Sequence, residues 1–200
     1  MFVNIPRNNK RFLTCAKTFI AIVYLCASPL ATAQFNYTLY HGNFNQLPDF
    51  STLTPVRTGI SESIDLTVSD RADLFALVFT KNISVDRDAN FNFILASDDG
   101  SKLYIDDQVV INNDGLHATQ EITTTVNLSA GNHTLRIEYF ENTGGEVLEL
   151  QYAVVGGFYA PIPNNGQLNT TIPNVSEYGQ WGPLIEWPHV AISAATLSDG

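Results

Sequence analysis

The chain has 200 residues, with ten Lys and Arg against twenty Asp and Glu, a formal net charge of −10. That balance repels phosphate backbones and argues against nucleic acid as a partner. Both cysteines, Cys15 and Cys26, fall in the first 26 residues, so the rest of the chain must be held by an apolar core or a metal, not by disulfides.

Residues 1–33 read as a secretory signal peptide. Lys10, Arg11 and Lys17 give a basic start, an apolar run covers Phe19 to Leu25, and Ala31 and Ala33 stand in A-x-A spacing. The run is shorter than the ~20 apolar residues that a spanning helix needs. Cleavage after Ala33 leaves an exported chain with no membrane anchor. It would carry six basic and twenty acidic residues, a net charge of −14. Its 167 residues are enough for one buried domain.

From 34 to 155 the sequence alternates. "IDLTVSD", "LFALVFT", "NFNFILAS", "KLYID", "QVVIN", "EITTTVNLS", "HTLRIEYFE" and "VLELQYAVV" are rich in β-branched and aromatic residues, with Gly, Asn and Asp between them. No stretch sustains a 3.6-residue period. The pattern predicts an all-β domain, an antiparallel sandwich or barrel of roughly eight or nine strands. In "HTLRIEYFE", Leu135, Ile137 and Tyr139 share one face, and Arg136 and Glu138 take the other.

Residues 156–176 are rich in Gly, Pro, Asn and Thr and read as a linker. Residues 177–200 hold both tryptophans and a strand-like "VAISAATL". They are too few for a core of their own and read as the start of a second domain, or a tail docked on the first.

Two pairs of adjacent aspartates stand within ten residues. Asp98 and Asp99 end the strand "FNFILAS", where loops carry sites. Side by side, two carboxylates repel. A hard cation with oxygen ligands would hold them together, and calcium accepts irregular oxygen sets most readily. Gly100 allows the required bend. The alternative is a solvated turn. Asp106 and Asp107 lie between "KLYI" and "QVVI" and read as a hairpin tip with positive φ at Asp107, not as ligands. "DRDANF" from Asp86 fails as a calcium loop, because Phe91 stands at position six and Ser97 at position twelve. No nucleophile elbow and no zinc helix motif occurs. His117 and His133 flank one predicted strand and read as structural or surface groups.

The ordered series "FNFILASDDGSKLYIDDQVVINNDG" and "LSAGNHTLRIEYFENTGGEVLELQY" resembles the protective-antigen (PA-fourteen) domain family, exported β-sandwich modules of adhesins, glycosidases and toxins. The resemblance runs from about Tyr37 to Val155. It implies a cis Asp98–Asp99 peptide whose carboxylates chelate calcium, with Asn142 in "ENTGGEV" as a further ligand. It also implies that the ion would hold two vicinal hydroxyls of a glycan or cell-surface polysaccharide. Sugar-binding members often set an aromatic beside the sugar. The module has no Trp, so Tyr104 is the candidate, while alternation assigns Tyr139 to the core. "GQWGPLIEWPHVAISAATLSDG" resembles the opening strand of galactose-oxidase-like Kelch propellers.

These readings imply a calcium-dependent carbohydrate-binding module that does no chemistry itself and is accessory to a C-terminal propeller. Two alternatives stand beside it. One is a fragment of a secreted copper-radical oxidase. The other is a structural module in which calcium is only a staple.

Overall fold

The structure is a computed structural model that describes residues 34–172. The leader, the end of the linker and the propeller-like segment lie outside the described residues.

Ten strands are present among them. In chain order they are β1 (Phe35–His41), β2 (Arg57–Ser61), β3 (Phe75–Val85), β4 (Ala89–Asp98), β5 (Ser101–Ile105), β6 (Gln108–Asn113), β7 (Gln120–Leu128), β8 (Gly131–Glu141), β9 (Val147–Val154) and β10 (Ala160–Pro161). They form two antiparallel sheets, six strands in the order β2-β1-β3-β8-β5-β6 and four in the order β10-β9-β4-β7. The all-β sandwich expected from the alternation is what the chain builds.

The core lies between the sheets. Phe75, Leu77, Phe79 and Ile83 of β3 and Leu135, Ile137 and Tyr139 of β8 meet Phe91, Phe93 and Leu95 of β4 and Leu150 and Tyr152 of β9. Each strand gives alternate residues to this layer, as a two-residue period requires. A second apolar cluster forms on the outer face of the six-stranded sheet. There Phe44, Leu47, Phe50 and Leu53 pack on Tyr40, Ala76 and Phe140. Phe140 is thus buried although its neighbours in parity face outward.

At the tip between β5 and β6, Asp106 and Asp107 have φ of 50° and 61°, so both residues adopt the left-handed conformation expected of Asp107 alone. Such a pair matches the right-handed twist of the flanking strands. Asp106 also accepts from His133 Nδ1 at 2.6 Å and from the Thr134 N–H at 2.8 Å.

The stretch read as linker from 156 is in part docked. Ile162 and Leu168 are buried in the main core, and Ser84 exchanges backbone hydrogen bonds with Gly166 and Leu168 at 2.9 Å. Its Gly, Pro and Asn residues carry no period, but two apolar side chains suffice to pin it.

Candidate metal and ligand site

The four-stranded sheet hands the chain to the six-stranded one through Asp98, Asp99 and Gly100. The Asp98–Asp99 peptide bond is cis. Just inside the turn, the Ser97 and Ser101 hydroxyls lie 2.7 Å apart, and Asn113 Nδ2 donates to Ser97 Oγ at 2.9 Å and to the Gln120 carbonyl at 3.2 Å. These bonds tie the ends of β4, β5, β6 and β7 together. Gly100 has a different reason from the bend expected of it. A Cβ there would sit 2.4 Å from the Phe140 ring and 2.8 Å from the Gly115 nitrogen. No side chain fits.

Three carboxylates converge at this corner. One oxygen each from Asp98, Asp99 and Glu141 lies within 4.8 Å of the others. Two ligands of one calcium ion can be no farther apart than about twice its ~2.4 Å bond length, so the spacing suits a shared ion. Asp99 is only 6 % exposed, and Glu141 is fully buried. The Asp99 carboxylate accepts from the backbone N–H groups of His117 and Asn142, both at 3.0 Å. Asp98 accepts from the Thr119 hydroxyl at 3.2 Å.

Glu141 is the most deeply buried member of the acid cluster. Its Oε2 accepts from the Asp99 N–H at 3.1 Å and lies 2.9 Å from the Tyr139 hydroxyl, whose one hydrogen is shared with the Asp98 carbonyl at 2.5 Å, while its Oε1 is buried with no partner. A buried polar atom left unsatisfied is costly, and a cation would satisfy this one. Burial, with the charges of Asp99 and Asp98 adding to it, pushes the Glu141 carboxyl up to about 7, against the pull of its two donors. The Tyr139 hydroxyl is raised by burial first and by Glu141 next, so it stays a protonated donor. Burial pulls His117 down, but the carbonyls of Asn113 and Ala118 and the charges of Asp99 and Asp98 outweigh it and leave its pKa raised. The residues present therefore fit a hard divalent cation.

Of the residues expected at the site, Asp98 and Asp99 are brought together, and Asn142 meets them through its backbone N–H, which donates to Asp99. The two hydrogens of the Asn142 side-chain nitrogen are shared among Asn43 Oδ1, the Phe44 carbonyl and Asn45 Oδ1, at 3.0, 2.8 and 3.1 Å. Tyr104 is not brought there. It pairs with Arg136 in β8, five residues from Glu141, or about 17 Å along the strand. The Arg136 guanidinium covers its ring at 3.7 Å, and its hydroxyl donates to Glu138 at 2.7 Å. With its face already stacked, Tyr104 offers no platform to a sugar at the acid cluster. Glu141 is the residue that sequence reasoning missed. The signal was present, since Glu141 shares the parity of Leu135, Ile137 and Tyr139, which places it on the core face.

The profile of the PA14 domain matches residues 37–163, well over half of the chain. The chain belongs to the PA14 domain family. No curated protein matches it. Solved structures share its fold at low identity. A PA14 sugar-binding domain from an RTX adhesin has a TM-score of 0.54 at 16 % identity, covering 66 % of this chain and 95 % of that one. The PA14 domain of the antifreeze protein MpAFP gives 0.53 at 16 %, with 70 % and 93 % covered. An anti-sigma factor domain-containing protein gives 0.54 at 17 %, covering 72 % of this chain. This chain spans 50 % of that protein's length. The cis Asp98–Asp99 turn is thus part of a PA14 fold.

Proposed function

We propose that this PA14 module is an exported, calcium-dependent carbohydrate-binding module without catalytic activity. The observation that carries the reading is the convergence of the Asp98, Asp99 and Glu141 carboxylates, of which Glu141 keeps one buried oxygen, Oε1, without a partner. Family membership supports it, as does the sugar-binding domain named among the similar folds. Asp98, Asp99 and Glu141 would hold the ion, and the Asn142 carboxamide oxygen is free for it because its nitrogen serves the 43–45 loop. Bound calcium supplies a hard acceptor for two vicinal hydroxyls of a sugar. Attachment to a following propeller belongs to this proposal, and the gene sequence past Gly200 tests it.

The experiment is retention on a printed glycan array with calcium and with a chelator, paired with calcium titration. We expect retention that the chelator abolishes. Retention that survives removal of calcium sinks the reading. A second reading is favoured by the two backbone N–H groups held by Asp99, which stitch the 117 and 142 loops together. In that reading the ion is a staple only, and calcium raises the melting temperature while no glycan is retained.

A further inference from the structure

A cation that grips a vicinal diol recognises a feature common to many hexoses. Choosing among them needs polar groups fixed beside the ion that meet the remaining hydroxyls. The loop after β1 is placed to do this.

Asn142 is tied in three directions. Its backbone N–H donates to Asp99, its carbonyl accepts from Leu74 at 3.0 Å, and its side-chain nitrogen holds the loop at Asn43, Phe44 and Asn45. The far side of that loop is fixed as well. The Leu47 N–H donates to Asp114 Oδ1 at 2.7 Å, and Asp114 Oδ2 pairs with Lys102 at 2.7 Å. Phe44 and Leu47 pack against the outer cluster of Tyr40, Ala76 and Phe140, and Phe140 directly precedes Glu141 of the acid cluster. Asn43, Asn45 and Gln46 remain exposed. The oxygens of Asn43 and Asn45 are occupied by Asn142, so their amide nitrogens are the groups left for a ligand. The exposed edge is therefore uncharged and rich in N–H donors, which suits the oxygens of a neutral sugar.

We propose that Asn43–Gln46 forms a second wall of the ligand site, joined to the acid cluster through the Asn142 carboxamide, and that this wall selects among sugars. The proposal rests on the sugar-binding reading above and names a specificity element for it.

Two measurements test it. The first is hydrogen exchange of the Leu47 amide on the full chain in chelator. Asn142→Asp replaces the shared donor with an oxygen facing three oxygens, and the amide should exchange at least about tenfold faster. Unchanged exchange overturns the joint. The second is retention of the Asn43→Ala/Asn45→Ala variant on galactose-, glucose- and mannose-bearing resins, with the calcium-induced melting shift recorded on the same sample to show that the ion site has formed. Retention should fall by about tenfold or more, and the order of preference among the three sugars should change. An unchanged order and strength overturns the wall. If the unaltered protein shows neither a calcium shift nor sugar retention, the function itself is wrong. The exchange experiment needs neither ion nor sugar and still decides the joint.

Discussion

The two aspartate pairs look alike in sequence and do opposite work. Asp98 and Asp99 enclose a cis peptide at the seam between the sheets, with the buried Glu141 beside them. Asp106 and Asp107 both sit at positive φ on a hairpin tip, with side chains 52 % and 85 % exposed. At the first pair no salt bridge forms among the described residues, and the neighbouring Glu141 keeps one oxygen without a partner. At the second, His133 and Arg136 supply the opposite charge. Adjacent acids thus take different surroundings according to whether a basic partner is held against them.

The contrast is broken most severely by Asp99→Ala. Removing a buried carboxylate from the cluster should cost about 4 kcal/mol of calcium binding, roughly a thousandfold in affinity by titration calorimetry. A similar loss from Asp107→Ala would erase the distinction.

Glu141 gives the next effect, read in chelator. Its carboxyl, ordinarily near 4.5, is raised to about 7 in the fold. Between those values the folded state keeps a proton that the unfolded state has lost, so stability falls as pH rises through the window. The drop should be about 3 kcal/mol in urea melts between pH 4.5 and 8, and Glu141→Gln should flatten it.

Gly100→Ala should destabilise by about 2 kcal/mol, because the added methyl meets the Phe140 ring and the Gly115 backbone. Thermal melts measure this, and a neutral result would show that the seam can give way.

The hairpin pair yields the smallest effects. His133 is raised, since Asp106 and the Ser129 carbonyl outweigh the lowering by burial. Its stabilisation is complete below about pH 6.5 and is lost as pH rises through the folded value. Asp106 is lowered, as its bonds to His133 and Thr134 outweigh burial, so its share is lost as pH falls through its own folded value. Asp106→Asn should cost about 1 kcal/mol and flatten both limbs. Asp107→Gly relieves a positive φ, should shift stability by less than about 1 kcal/mol and should leave calcium affinity unchanged.

The sheets were legible because burial on one face writes a two-residue period, as at Leu135, Ile137 and Tyr139. The acid turn was legible because repelling neighbours stand out. Glu141 was overlooked because a charged residue at the end of a strand reads as solvated, although its parity already placed it inward. Phe140 breaks the alternation for a reason outside its strand, the outer apolar cluster that residues of the 44–53 stretch, almost a hundred positions away, help to cover. Tyr104 failed as a platform because its fate depends on Arg136, a neighbour made only by strand pairing. Such pairings carry no local signature.

The docked stretch at 162–168 has a mechanical consequence. It rests on Ser84, near the end of β3 that pairs with Gly131, whereas the acid cluster lies at the Phe75 and Glu141 end. A glycan held at one pole and a polypeptide leaving from the other would pull along the strands. Force in that direction would run through β9, which joins the 142 loop to the docked stretch, and would load its eight residue pairs with β4 together, not one after another, so the domain would bear tension as a rivet line rather than a zipper.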